Sequence, residues 1–167
     1  MVDRARLLEL LRESSDRFTA SIRGLSESQL GYKPWPERWS ILETAEHVTA
    51  AERSSGKLIR NKLPSMTASP EDLARTEKAM ALIDANLTVR DRIIPAPEFI
   101  LPTGRWKTGD EVLAAFQESR DATIEFFSSA PPEIDQCAAP HPLLGPLTGS
   151  QWGYFLARHS DRHVLQI

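Results

Sequence analysis

Apolar residues recur along this chain at helical spacing in four long segments. Leu7, Leu11, Phe18, Ile22 and Leu25 follow one another at intervals of four, seven, four and three, one face of a helix, which predicts a first helix over 3–24. "GLSESQLGYKPWPERWS" breaks the repeat with two glycines and two prolines and reads as a connection. Ser40 opens a second helix, 40–61. Its "SILE" is a capping box in which Ser40 and Glu43 satisfy each other's free backbone N–H. Ile41, Ala45, Val48 and Ile59 cluster on one face of this helix, and His47 falls at its edge with Thr44, Ala51 and Leu58. A third helix is predicted over 109–129, with Val112, Phe116, Ile124 and Phe127 inward, helped by Leu113 and Thr123. The fourth, 148–167, starts at "TGSQ", a second capping box from Thr148 to Gln151. On its wheel Trp152, Phe155, Leu156, His159, His163 and Ile167 fall within about 60° of Trp152, while Asp161 points directly away.

The remaining chain is punctuated rather than periodic. "SPEDLARTEKAMALID" has an N-cap serine, a proline at the first position and an acidic first turn, which predicts one short helix. "IIPAPEFILPTGRWKT" holds three prolines and should run extended. "APPEIDQCAAPHPLLGP" reads as a loop, and no strand alternation stands out anywhere. These elements predict one all-α domain over 1–167, a four-helix bundle with a long crossover between helices 2 and 3. Short connections make helices 1 and 2 antiparallel, and likewise 3 and 4, and the crossover lets 2 and 3 run parallel. The expected order is up-down-down-up.

Composition narrows the function classes. The 167 residues are 41% hydrophobic and 26% charged, ordinary globular values. A formal net charge of -3 without a Lys/Arg block disfavours nucleic acid as a partner. No apolar run approaches the roughly 20 residues of a membrane span. "MVDRARLLELLRESSDRF" lacks the apolar centre of a secretory signal. The single cysteine, Cys137, has no internal partner, so a reducing cytoplasm is the expected location. Ile167 arrives without a helix C-cap signal, which leaves room for a tail beyond it.

The candidate chemistry lies in the last helix. His159 and His163 sit at the centre of its apolar stripe, and the i, i+4 spacing stacks the two imidazoles about 6 Å apart along one side, as two ligands of one ion require. A third ligand must come from elsewhere. His47 lies about 10 Å into helix 2, and His159 and His163 about 16 and 22 Å into helix 4. If helices 2 and 4 are antiparallel and about 30 Å long, His47 stands level with the pair. The zinc-peptidase pattern H-E-x-x-H is ruled against by "HSDRH", where Ser160 replaces the general-base glutamate. His141, in the proline-rich "PHPLLG", reads as a loop residue or a support for the ligands.

These segments together resemble a known family. "WSILETAEHV" is similar to the W-S-x-x-E-x-x-x-H segment of the DinB-like (damage-inducible, YfiT-like) superfamily. "HPLLGPLTGSQWGYFLARHSDRHVLQI" resembles its terminal H-P-x-x-G…W…H-x-x-R-H-x-x-Q-I segment, and "PAPEFILPTGRWKT" its crossover. The resemblance implies a left-handed up-down-down-up bundle with a metal site on His47, His159 and His163. It also implies activities seen among relatives: metal-dependent transfer of low-molecular-weight thiols such as bacillithiol or mycothiol, and mycothiol-dependent maleylpyruvate isomerisation.

Three neutral imidazoles would leave a divalent ion, zinc or nickel, its charge and at least one open position. The site shows only an open position; with what the resemblance implies, two functional readings stand. One is a thiol S-transferase acting on a small thiol and a small electrophilic substrate. The other is a non-catalytic, stress-related metal protein whose ion stabilises the bundle or a homodimer, and a homodimer is expected in either case. No residue beyond the ligands is assigned a catalytic role. Glu43, Glu46, Arg162 and Gln166 are candidates to orient the ligands, although capping suits Glu43 better. Asp161 reads as an exposed helix residue and Cys137 as a loop filler. Trp35, Trp39, Trp106 and Trp152 read as packing, with Trp39 and Trp106 placed to line a pocket.

Overall fold

A computed structural model of the protein describes residues 3–87 and 95–167. Helix α1 (Arg4–Ile22) is capped by Asp3, whose carboxylate accepts from the Arg6 N–H. A four-residue helix α2 (Glu27–Leu30) interrupts the connection expected to be wholly irregular. Helix α3 (Ile41–Asn61) begins at the predicted capping box: Glu43 N donates to Ser40 Oγ at 3.1 Å, and Ser40 N to Glu43 Oε2 at 2.7 Å. The crossover holds two short helices where one was expected, α4 (Pro70–Thr76) and α5 (Ala79–Leu87). Its expected extended stretch is irregular from Pro95 apart from a short 3-10 turn, Glu98–Ile100, while Ile93 and Ile94 lie outside the described residues. Helix α6 (Gly109–Ser129) starts where Thr108 Oγ1 accepts from Glu111 N. Helix α7 (Gly149–Val164) ends three residues short of the expected boundary, in a turn closed by Gln166 N on the His163 carbonyl.

The predicted loop before α7 contains a hairpin. Strands β1 (Ala138–His141) and β2 (Gly145–Thr148) pair antiparallel, with Pro140 opposite Pro146 and His141 opposite Gly145. Proline in both strands hid them from the sequence, because proline demotes a strand reading and four residues are too few to show alternation. Tertiary contact holds the hairpin instead: Ala139 and Leu147 are buried, and Trp152 Nε1 donates to the Ala139 carbonyl at 3.3 Å.

Cross-helix contacts fix the topology. α1 runs parallel to α7, since Leu7 packs near Gly153 and Arg17 pairs with Asp161. It runs antiparallel to α6, since Arg4 reaches the Phe127 carbonyl while Ser15 meets Gln117. α3 runs parallel to α6 through Arg53–Glu118 and Arg60–Thr123, and antiparallel to α7 through Thr44–Gln166 and His47–His159. The order is up-down-down-up. The helices joined by short connections, α1 with α3 and α6 with α7, occupy the diagonals, and the close neighbours are α1–α7, α1–α6, α3–α6 and α3–α7. Close approach at Gly153 depends on its missing side chain, because a Cβ there would lie 2.8 Å from Phe127.

The core has two apolar halves with a polar layer between them. Leu7, Leu11, Ile59, Phe127 and Leu156 belong to one half; Phe18, Ile22, Val48, Val112 and Phe116 belong to the other. Between them Arg120, 0% exposed, forms a two-pronged pair with Glu52, 1% exposed, through Nε–Oε1 at 3.0 Å and Nη2–Oε2 at 2.8 Å. The same guanidinium donates to the Leu11 carbonyl, Ser14 Oγ, the Leu156 carbonyl and Ser160 Oγ. All four long helices therefore meet at one side chain.

Truncating one member of such a pair leaves the other charge buried and alone. Arg120→Ala is expected to cost about 3–5 kcal/mol in urea unfolding, and Arg120→Met with Glu52→Leu to recover most of it. A loss below about 1 kcal/mol for the single variant would show that the layer does not carry the bundle.

Candidate metal centre

α3 and α7 bring His47, His159 and His163 together. The ligating nitrogens that the three rings can offer lie within 4.8 Å of one another, and the residues are 4%, 8% and 8% exposed. Ring centroids stand 5.1 Å apart for His47–His159, 4.8 Å for His47–His163 and 4.6 Å for His159–His163. The antiparallel height estimate places His47 opposite the pair, and the structure has it there. The edge position expected for His47 on the α3 wheel underestimates its burial, because the crossover covers that edge.

Hydrogen bonds set the tautomers. The Ile100 carbonyl can only accept, so the neutral His47 ring carries its proton on Nδ1, which donates at 3.0 Å and leaves the Nε2 lone pair facing inward. His163 Nδ1 likewise donates to Gln166 Oε1 at 3.0 Å, and Gln166 reaches on to Thr44 Oγ1. His47 Nε2 and His159 Nε2 are 3.2 Å apart. Trp39 lies over His47 with centroids 4.9 Å apart. Burial lowers the pKa of His47 against a smaller upward push from its bond to Ile100. Burial, reinforced by repulsion from His163 and His47, holds His159 well below 6.5. Neutral imidazoles aimed at one point can hold a metal ion.

The other candidates divide. Gln166 orients the His163 ring; Glu43 caps α3 and pairs with Lys33 at 2.7 Å. Glu46 turns to the crossover instead of to a histidine ring. Its carboxylate, 2% exposed, accepts from the backbone N–H groups of Thr103, Gly104 and Arg105 and from Thr103 Oγ1. Burial alone would raise its pKa, but these four donors outweigh it and hold the carboxylate below its ordinary range. Gly104 at φ +72° turns its N–H into this cradle, a conformation glycine adopts freely. The crossover is thus anchored on Glu46 so that the Ile100 carbonyl meets the very next residue, His47. Sequence reasoning missed this clasp because its only local sign was the Pro-Thr-Gly turn.

Arg162 donates to the Asn86 carbonyl, and Asp161 pairs with Arg17 of α1 instead of standing free. Cys137 packs with Leu63 near the far end of α3, its sulfur 3.7 Å from the Pro64 carbonyl. Trp39 lines the cleft beside the histidines, as do Trp35 and Trp152, whereas Trp106 packs on the core and under Arg105. This cleft, about 1610 Å³, runs along α3 and α7, and all four histidines of the chain line it. Among the described residues no fourth Cys, Asp, Glu or His joins the three histidines, and no helix is long and apolar enough to cross a membrane.

Two outcomes follow. His159→Ala is expected to lose bound metal by elemental analysis, and retention at wild-type stoichiometry would remove His159 from the set. In metal-free protein, burial keeps His47, His141 and His159 neutral when folded, with pKa values below the roughly 6.5 they have in the unfolded chain. Their contribution to stability is complete above that pH and is lost as pH falls toward the folded values, because the unfolded chain takes up protons first. The melting temperature of the apo protein should therefore fall on acidification below about pH 6.5, and less steeply in His159→Phe. Equal slopes in both proteins would contradict this.

The sequence profile of the DinB superfamily matches residues 10–167. The chain is also 24% identical over 146 residues to the uncharacterized protein YuaE of Bacillus subtilis (strain 168), covering 87% of this chain and 85% of that one. No solved structure gives a significant match. The profile match reaches into all four long helices, including both segments that carry the three histidines, and the chain belongs to the DinB superfamily.

Proposed function

We propose that the protein transfers a small thiol onto an electrophile in the cleft beside His47, His159 and His163. The observation that supports this reading is the open donor set. Structural zinc sites are closed by four protein ligands, whereas sites that do chemistry keep a position for water or substrate. Here three imidazoles point into a large cleft without a fourth protein ligand among the described residues. The borderline softness of three nitrogen donors suits zinc or nickel. When bound, such an ion supplies positive charge that lowers the pKa of a coordinated thiol, which is only a few per cent thiolate at pH 7 when free.

The protein's own residues do the rest. His47 and His163 present fixed lone pairs because Ile100 and Gln166 occupy their other nitrogens. Burial keeps protons off His47 and His159 at neutral pH. Trp39 and the crossover shield one side from water. In the overall reaction a sulfur–carbon bond forms, the carbon–leaving-group bond breaks with its electron pair going to the leaving group, and the thiol proton passes to solvent.

The test is a cobalt-substituted sample titrated with cysteine, glutathione and coenzyme A. A sulfur-to-metal charge-transfer band with at least one thiol is expected, together with turnover of a chlorinated nitroaromatic. Cys137→Ser should match wild type, and His163→Ala should be inactive yet fully helical by circular dichroism. Loss of turnover in Cys137→Ser would make the protein's own thiol the nucleophile. No band and no turnover with any thiol would leave the ion a structural role.

A further inference from the structure

His141 faces the same cleft from the hairpin, outside the metal centre. Its Nδ1 accepts two backbone hydrogen bonds, from Leu143 N and Leu144 N, both at 3.2 Å. An Nδ1 that accepts carries no proton, so the neutral ring has its hydrogen on Nε2. Among the described residues nothing accepts from that Nε2–H, and it is not one of the sealed, unsatisfied polar atoms of the interior. The ring is wedged edge-on against Phe155 and beside Trp152, at centroid distances of 4.5 and 5.2 Å. Burial holds its pKa down to about 4, so it stays neutral at pH 7.

The placement gives this donor a use. Phe155 touches both His141 and His159, at 4.5 and 5.5 Å, so the two imidazole centroids are at most about 10 Å apart. That is the span of one small molecule. Leu58, Leu144 and Phe155 line the cleft with it, so this N–H is a directional donor on an otherwise apolar wall. We propose that His141 is a ligand subsite: its Nε2–H donates a hydrogen bond to a carbonyl or carboxylate oxygen on a flat apolar molecule lying over Phe155, between His141 and the three metal-site histidines. Assigning that molecule as the electrophile rests on the thiol-transfer reading; the hydrogen bond does not.

The experiment uses the full chain labelled with ¹⁵N-histidine. The imidazole spectrum should show His141 as the Nε2–H tautomer. Sodium benzoate should shift its Nε2 resonance in a saturable way, and toluene, which lacks an acceptor, should not. Two variants are compared. His141→Phe removes both nitrogens; His141→Asn keeps an oxygen that accepts from the turn N–H groups but puts no donor at the Nε2 position. Benzoate affinity should fall at least about tenfold in both, as expected for a hydrogen bond to a charged group. Metal content and the cobalt–thiol band should stay at wild-type level in His141→Asn, and the KM for the electrophile should rise with little change in that for the thiol. Wild-type benzoate affinity in His141→Asn, no benzoate-dependent shift in wild type, or an equal shift with toluene would each overturn the subsite. A missing cobalt–thiol band alongside an intact benzoate response would instead fault the thiol-transfer reading alone.

Discussion

The Arg120–Glu52 pair sets the geometry on which everything else in this bundle depends. A guanidinium taken wholly out of water demands acceptors in fixed directions, and here they come from the other three long helices. Leu11 and Ser14 fix the height of α1, Glu52 that of α3, and Leu156 with Ser160 that of α7. A slide of any of these helices would strand a buried charge. Buried pairs are weak evidence for net stability and better evidence for a unique arrangement, and arrangement is what this site requires. Leu156 and Ser160 bracket His159, and Glu52 lies little more than one turn beyond His47, so the layer that sets helix register also sets where the imidazoles meet.

A second clasp acts from outside the bundle. Glu46 and His47 are adjacent, one gripping three backbone N–H groups of the crossover and the other donating to its Ile100 carbonyl. Helix geometry turns consecutive side chains about 100° apart, so the two can reach different parts of one crossing segment. The crossover is therefore a wall of the site, and its long path does the work of aligning a ligand ring.

Much of this was legible in the sequence, for identifiable reasons. The four long helices show themselves through their apolar repeats, with caps agreeing at Ser40 and Thr148, and their boundaries fall within three residues of those read from spacing. The convergence of His47 with His159 and His163 follows from antiparallel heights. The polar layer was hidden in plain view. Arg120 falls in the stripe of Val112, Phe116, Thr123 and Phe127, and Glu52 in that of Ala45, Val48 and Ile59. Opposite charges at core positions of two helices are the signal that could have found it. The Glu46 cradle had no such signal, because it is made by segments that meet only after folding, whereas Pro140 and Pro146 masked the hairpin and the turn that fixes the His141 tautomer lies inside it.

The 3.2 Å separation of His47 Nε2 and His159 Nε2 carries the last step. The His47 nitrogen is an acceptor, since its proton is committed to Ile100. Two lone pairs cannot face each other at that distance in a buried site, where repulsion is poorly screened. Either His159 turns a hydrogen toward His47, or something positive sits between them. A hydrogen on His159 Nε2 links only that ring to His47, and desolvation opposes any further proton, since it holds His47 and His159 below the ordinary imidazole range. A divalent ion is not subject to the first limit: it accepts all three lone pairs at once, and their donation offsets the water it gives up. The burial that keeps this site uncharged toward protons is thus what keeps its nitrogens available for a metal.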